Sequence, residues 1–211
     1  MKIKDLENAI QQAEADESKL TAEVFGINTL GGSRTLHLIN NLCSVDEKNL
    51  SYLELGCYHG ASICSALYEN KVRVVGIDNW STFIDEKLFT AIRCEQNLNR
   101  VANGNKTRLY TANYNQIKPF DLSTFGKFNI FYFDVENSLQ NEENILKYYN
   151  KNLKDNFVFI HRDWNDENIR NHTTRQINEL GHKISFQHNI YTSSEDNPLW
   201  GNGVGIFLIG K

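Results

Sequence analysis

Residues 53–78 read LELGCYHGASICSALYENKVRVVGID, and this stretch decides the fold. An apolar strand carries Glu54 near its end and breaks into a turn that holds Gly56 and Gly60. A helix follows, and then a second apolar strand that ends in Asp78. The pattern predicts a βαβ unit with a carboxylate at the tip of each strand. Because open α/β sheets bind ligands at the tips of parallel strands, this turn is the predicted binding site.

The two carboxylates indicate which ligand the turn takes. A dinucleotide-binding turn reads G-x-G-x-x-G and places a pyrophosphate on the helix N-terminus. Glu54 would repel such a phosphate and favour an ammonium group. Asp78 follows at about the 20-residue distance from which an acid accepts hydrogen bonds from a ribose diol. A molecule with a ribose, an amino-acid head and no phosphate is S-adenosylmethionine.

At these residues the chain resembles the class I S-adenosylmethionine-dependent methyltransferases. Glu54, Gly56 and Gly60 match the first motif of that family, and Asp78 matches the second. The resemblance covers roughly Leu36 to Lys211, and we expect residues 31–211 to form the methyltransferase domain. It implies S-adenosylmethionine as the cofactor, bound by these four residues.

The alternation of strands and helices predicts an α/β fold with a single doubly wound, mostly parallel, Rossmann-like sheet and helices on both faces. The last two strands have no helix between them, so they must pair antiparallel, as in the methyltransferase fold. Seven strands are predicted, at residues 51–55, 72–77, 107–111, 128–133, 157–160, 183–191 and 204–209.

The first 30 residues lie outside the resemblance. Apolar residues recur at helical spacing from Ile3 to Ala13, which predicts an amphipathic helix that reaches about residue 24. We expect residues 1–30 to form a helical extension that acts as a lid or as a homodimer contact. Ser33 is predicted to cap the next helix.

Composition excludes several classes of partner. The net charge is −4 and the 22 basic residues form no run, which argues against nucleic acid. Apolar stretches stay well below the roughly 20 residues that span a membrane, and the charged N-terminus is not a signal peptide. Four cysteines without a C-x-x-C pair are typical of reduced thiols, so we expect a cytoplasmic protein.

Two further residues are candidates for cofactor contacts. Asn113 follows the third strand, where the family commonly has an acid that touches the adenine edge. Its amide can donate to and accept from a purine, although it also suits a turn. Trp80 lies two residues after Asp78 and is predicted to pack on the adenine, the alternative being a cap on the core.

The segment FDVENSLQNEENILKYYNKNLKDNFVFIHRDW, which starts at residue 133, resembles the macrocin-type branch of sugar and macrolide O-methyltransferases. Asp134 and Glu136 match the two acids after the fourth strand of that branch, and Asn137 replaces its histidine. Asp163 matches the second acid of the pair after the fifth strand, whereas Arg162 replaces the first.

The resemblance implies Mg²⁺ bound by Asp134 and Asp163, where it would polarise the acceptor hydroxyl. Arg162 would compete with such a cation. The metal-free alternative uses His161 as the general base. Asp134, His161 and Asp163 are therefore the candidate catalytic residues, and we expect them to converge in one pocket.

The sequence thus predicts a methyltransferase that acts on a hydroxyl of a small molecule, a sugar or another natural product. One alternative is a nicotinamide-dependent oxidoreductase, against which Glu54 and the missing third glycine argue. The other is a non-catalytic S-adenosylmethionine-binding protein of the same fold, which the substitutions at Asn137 and Arg162 keep open.

Overall fold

A computed structural model describes residues 1–46, 48–81, 87–135, 145–194 and 197–211. Its helices are α1 (Ile3–Glu14), α2 (Ala22–Phe25), α3 (Ser33–Cys43), α4 (Ala61–Leu67), α5 (Lys87–Val101), α6 (Ile145–Tyr149) and α7 (Glu167–Glu179). Its strands are β1 (Ser51–Leu55), β2 (Arg73–Asp78), β3 (Thr107–Thr111), β4 (Phe128–Phe133), β5 (Leu153–Arg162), β6 (Lys183–Ile190) and β7 (Val204–Gly210). No described helix is long and apolar enough to cross a membrane.

The seven strands form one sheet in the order β3-β2-β1-β4-β5-β7-β6. β1 to β5 are parallel to their neighbours, and β7 runs antiparallel to both β5 and β6. The predicted fold class is therefore confirmed. The chain winds outward from β1 to β3 and then returns to β4, so the strand order reverses between β1 and β4. A crevice at such a reversal is where α/β sheets bind ligands.

Side chains alternate across the sheet and form a core on each face. Tyr52 and Tyr132 belong to the core that contacts α1, α3 and α4, here called the Tyr132 face. Phe133 and Phe159 belong to the core on the other side, here called the Phe133 face. β1 and β4 are buried along their whole length, as expected of central parallel strands.

The N-terminal helix ends earlier than predicted. α1 stops at Glu14, and Asp16 adopts a left-handed backbone conformation (φ 59°) that breaks the helix before the short α2. Gly32, not Ser33, occupies the cap position of α3. The buried side of α1 (Leu6, Ala9, Ile10 and Ala13) joins the core of the Tyr132 face, so residues 1–30 share their core with the rest of the chain. A lid or homodimer role for them stays a prediction.

β5 is longer than predicted because it pairs with β7 from Asn156 to Arg162. This antiparallel pairing carries the strand past residue 160, places His161 inside it and makes Arg162 its last residue. The predicted helix at 139–153 is seen only as α6, and Glu136 and Asn137 lie outside the described residues.

Gly205 of β7 provides a test of this packing. A Cβ atom there would lie 2.5 Å from the ring of Trp164, which is itself buried and held by a 2.9 Å hydrogen bond from its indole N–H to Asn189 Oδ1. We expect Gly205→Ala to lower the free energy of unfolding by about 1–3 kcal/mol, measured by urea denaturation. Gly31→Ala is the control, since its Cβ would meet only Thr29 Oγ1 at 3.5 Å. Equal stability of the two variants would contradict this packing.

Candidate functional site

The turn after β1 is packed against the end of β4. Gly56 has a φ of 85°, and its N–H donates to the carbonyl oxygen of Ile77 at 3.0 Å. A Cβ atom at this position would lie 1.9 Å from the carbonyl oxygen of Asp134. Both the backbone conformation and the close approach therefore require glycine. The contact brings the turn and Asp134 together at the strand-order reversal.

The carboxylate of Asp78 holds the turn in shape. Its Oδ2 accepts hydrogen bonds from the backbone N–H groups of Cys57 (2.7 Å) and Tyr58 (2.9 Å), and its Oδ1 accepts one from Trp80 N–H (2.7 Å). A carboxylate has about four acceptor positions, so one on Oδ1 remains for a ligand. Asp78 is half-buried at the edge where the sequence places a ribose.

Trp80 does not form a wall of an adenine pocket, and that prediction is wrong. Its side chain is only 1% exposed and packs with Cys57 and Cys94. The indole N–H donates to the carbonyl oxygen of Tyr58 at 2.9 Å, so the tryptophan stabilises the turn. The ring therefore presents no surface to a ligand.

Glu54 is also enclosed in the protein. Its Oε2 accepts a hydrogen bond from the Tyr52 hydroxyl (2.6 Å) and its Oε1 one from the Ser62 hydroxyl (2.5 Å), and it is 0% exposed. Burial raises the pKa of Glu54 to about 8, although the two hydrogen bonds oppose the rise. The carboxyl group is thus mostly protonated at neutral pH. The prediction that it faces an ammonium group of the ligand as a charge is wrong.

Gly60 and Asn113 lie at the same edge of the sheet. Gly60 precedes α4 with a φ of 87°, and a Cβ atom there would point at Cys94 Sγ, 3.0 Å away. Its glycine is thus explained by backbone conformation and packing. Asn113 is exposed just after β3, and its Oδ1 accepts a hydrogen bond from the side-chain amide of Asn79. Cofactor contacts of both residues stay predictions.

Asp134, Arg162 and Asp163 form one charged group at the ends of β4 and β5, here called the Arg162 cluster. Arg162 Nη1 lies 2.8 Å from Asp134 Oδ1, and Arg162 Nε lies 3.8 Å from Asp163 Oδ1. The Tyr132 hydroxyl donates to Asp134 Oδ2 at 3.0 Å. Burial raises the pKa of Asp134, and the guanidinium charge opposes that rise. The predicted convergence of the two acids is therefore seen.

His161 does not join them. Its ring packs against the rings of Phe133, Phe159 and Trp164, on the Phe133 face of the sheet. Asp134 follows Phe133 and is bound to Tyr132, so it lies on the opposite face. Burial lowers the pKa of His161 to about 4. The prediction that His161 shares a pocket with Asp134 and acts as the base is wrong.

The Arg162 cluster does not fit a divalent metal ion. Both oxygens of Asp134 already accept hydrogen bonds, one of them from a permanently charged guanidinium. Mg²⁺ requires hard oxygen ligands in near-octahedral geometry. The described residues contain no group of three metal-ligating side chains. The predicted Mg²⁺ site at Asp134 and Asp163 is therefore wrong for this arrangement.

A contact between the segment that leads into α3 and the loop before β7 lies beside Arg162, and sequence reasoning missed it. Ser33 N–H donates to Pro198 O (2.9 Å) and Arg34 N–H to Leu199 O (2.8 Å). A Cβ atom on Gly32 would lie only 2.1 Å from the carbonyl carbon of Leu199, so the segments touch backbone to backbone. We call this contact the 31–34/198–201 clamp. The paired glycines at 31 and 32 are the signal that could have indicated it.

The raised pKa of Glu54 predicts a pH-dependent stability. The unfolded chain ionises this group near pH 4.5 and the folded chain near pH 8, so stability falls as pH rises between these values. The largest slope for one such group is about 1.4 kcal/mol per pH unit. Glu54→Gln removes this ionisable group. As pH rises from 4.5 to 8, the free energy of unfolding of the variant should therefore fall less than that of the unmodified protein. Urea unfolding of both proteins at several pH values measures the difference, and parallel curves would contradict the assignment.

No protein-family model matches the chain, and none of the curated proteins matches it in sequence. Solved structures do match in shape. The O-methyltransferase TomG from Streptomyces achromogenes, in complex with S-adenosylmethionine, aligns with a TM-score of 0.60 and 14% identity over 100% of this chain and 92% of that one. An O-methyltransferase from Bacillus cereus, in complex with S-adenosylhomocysteine, aligns with a TM-score of 0.55 and 13% identity over 99% of this chain and 92% of that one.

A third solved structure is also similar in shape. A putative RNA methyltransferase from Pyrococcus horikoshii aligns with a TM-score of 0.57 and 14% identity over 99% of both chains. At these identities the likeness is one of fold. The chain therefore has the seven-stranded, Rossmann-like fold of the class I methyltransferases.

Proposed function

We propose that this protein transfers a methyl group from S-adenosylmethionine to a hydroxyl oxygen of a small molecule. The observation that carries the proposal is the Gly56 turn, held by Asp78 and packed directly against the end of β4. The turn lies at the strand-order reversal, next to the Arg162 cluster, which is the position where α/β sheets bind ligands.

The residues at this edge suit the cofactor. Asp78 retains one acceptor position on Oδ1 for a ribose hydroxyl, and the exposed amide of Asn113 lies further along the same edge. The turn supplies backbone groups and no positive side chain, which suits a ligand without phosphate. TomG and the Bacillus cereus enzyme bind S-adenosylmethionine or its demethylated product on this fold, which supports the same ligand here.

The cofactor supplies an activated methyl group, and the chain must orient the acceptor and take its proton. Asp134 has both oxygens in hydrogen bonds, which leaves Asp163 as the carboxylate that receives the proton. Asp163 has a left-handed backbone (φ 62°) at the end of β5. Such conformations of non-glycine residues cluster at functional sites.

The 31–34/198–201 clamp supports a small acceptor. The 31–34/198–201 clamp joins backbone to backbone beside β5, where the acceptor would approach. A polymer would need an open groove at this position. The clamp and the net charge of −4 therefore favour a small molecule over RNA.

Replacement of Asp78 tests cofactor binding. Hydrogen bonds to a charged group contribute roughly 1.5–3 kcal/mol each, so Asp78→Ala should weaken S-adenosylhomocysteine binding by about tenfold or more. Isothermal titration calorimetry measures the affinity. Asp155→Ala is the matched control, since its carboxylate is 81% exposed and lies at the opposite edge of the sheet. Unchanged affinity in Asp78→Ala would remove the basis of the proposal.

Replacement of Asp163 tests the chemistry. Asp163→Asn keeps the size of the side chain but removes the proton acceptor, so we expect methyl transfer to fall by about a hundredfold or more. S-adenosylhomocysteine affinity should stay the same. The assay follows labelled methyl groups from S-adenosylmethionine into a panel of phenols and sugars. Tight cofactor binding without transfer to any member of a broad panel would favour the non-catalytic alternative.

A further inference from the structure

The charge balance of the Arg162 cluster differs from that of a metal site. Two carboxylates that could share a divalent cation, Asp134 and Asp163, instead face the same guanidinium at 2.8 and 3.8 Å. Arginine keeps its charge at any physiological pH. Its side chain is 16% exposed, and its Nε is enclosed beside Gly201 of the 31–34/198–201 clamp.

One hydrogen-bond donor of the Arg162 guanidinium group is not used. Arg162 Nε is a buried donor without a hydrogen-bond acceptor among the described residues, and Asp163 Oδ1 at 3.8 Å is too far to serve. An unsatisfied buried donor costs about 1–3 kcal/mol. The two carboxylates therefore neutralise Arg162 without using all of its donors.

We propose that Arg162 takes the place of a divalent metal ion in this site, so that methyl transfer is metal-independent and its acceptor is a phenolic hydroxyl. This inference rests on the proposed function. In the step, the acceptor oxygen forms a bond to the methyl carbon and the carbon–sulfur bond breaks, with its electron pair passing to sulfur. The hydroxyl proton passes to Asp163, and the guanidinium stabilises the negative charge that develops on oxygen.

The acceptor class follows from the strength of that charge. A single charge at about 2.8 Å exerts roughly 40% of the Coulomb energy of a double charge at the 2.1 Å Mg²⁺–oxygen distance, at equal dielectric constant. Arg162 therefore lowers the pKa of a bound hydroxyl less than Mg²⁺ would. A phenol, with a pKa of about 10, needs less help than a sugar alcohol. This narrows the sugar or natural-product acceptor predicted from the sequence to aromatic hydroxyls.

Mn²⁺ binding tests whether Arg162 takes the place of a metal ion, and the test does not require the acceptor to be known. After dialysis against chelator, the unmodified protein should bind no Mn²⁺ at the cluster, as measured by electron paramagnetic resonance. Arg162→Ala frees two adjacent carboxylates and should bind Mn²⁺ at least about tenfold more tightly. Adding Asp163→Asn to that variant should abolish the gain. Arg162→Gln serves as the second variant if Arg162→Ala does not fold.

Two results would overturn the inference. One is Mn²⁺ binding to the unmodified protein that Asp134→Asn or Asp163→Asn removes. The other is a folded Arg162 variant that gains no Mn²⁺ affinity. If neither Arg162 variant folds, the unmodified protein decides the question. S-adenosylhomocysteine calorimetry runs in parallel, so that a failure of the proposed function, seen as no cofactor binding, stays distinct from the metal result.

The acceptor class is tested with catechol and methyl β-D-glucopyranoside, each with labelled S-adenosylmethionine. We expect transfer to catechol at least about tenfold faster, and unchanged by chelator, because about 1.4 kcal/mol of barrier corresponds to a factor of ten. Transfer that stops with chelator and returns with Mg²⁺ would overturn the metal-independent step. Faster transfer to the glucoside would overturn the phenolic acceptor.

Discussion

Three backbone N–H groups converge on the carboxylate of Asp78, and the shape of the site depends on them. They come from Cys57 and Tyr58 in the first turn and from Trp80 after the second strand. Hydrogen bonds to an ionised acceptor are about twice as strong as neutral ones. One side chain thus fixes both loops that border the crevice. With the turn fixed, Gly56 can lie against the end of β4 and bring the turn next to Asp134.

The edge of the sheet concentrates negative charge, and each acid is stabilised by a different means. Glu54 is buried and mostly protonated. Asp78 accepts hydrogen bonds from the backbone amides of both loops. Asp134 is paired with the guanidinium of Arg162. Three ionised carboxylates without such partners would repel one another and resist burial. The proposed role of Asp163 as the proton acceptor rests on this division.

The sequence predicted where the site residues lie along the chain better than it predicted which face of the sheet their side chains take. Buried strands such as β4 are continuous apolar runs, and polar residues after them must lie at the carboxyl edge, which located Asp78, Asp134 and Asp163. The face that a side chain takes depends on its place in the strand, and a shift of one residue moves it to the other face. His161 lies on the Phe133 face because it is two residues beyond Phe159 within β5, which extends to Arg162. The burial of Trp80 likewise depends on partners distant in sequence, which no local pattern reports.

The 31–34/198–201 clamp links segments about 165 residues apart, the largest closure among the contacts that build this edge. The cofactor turn, by contrast, forms within one βαβ unit. During synthesis, a chain that has emerged only as far as the end of β5 already has the turn, Asp134 and Arg162. The 31–34/198–201 clamp has to wait for the loop before β7. The turn after β1 can therefore form first, and the clamp closes after it.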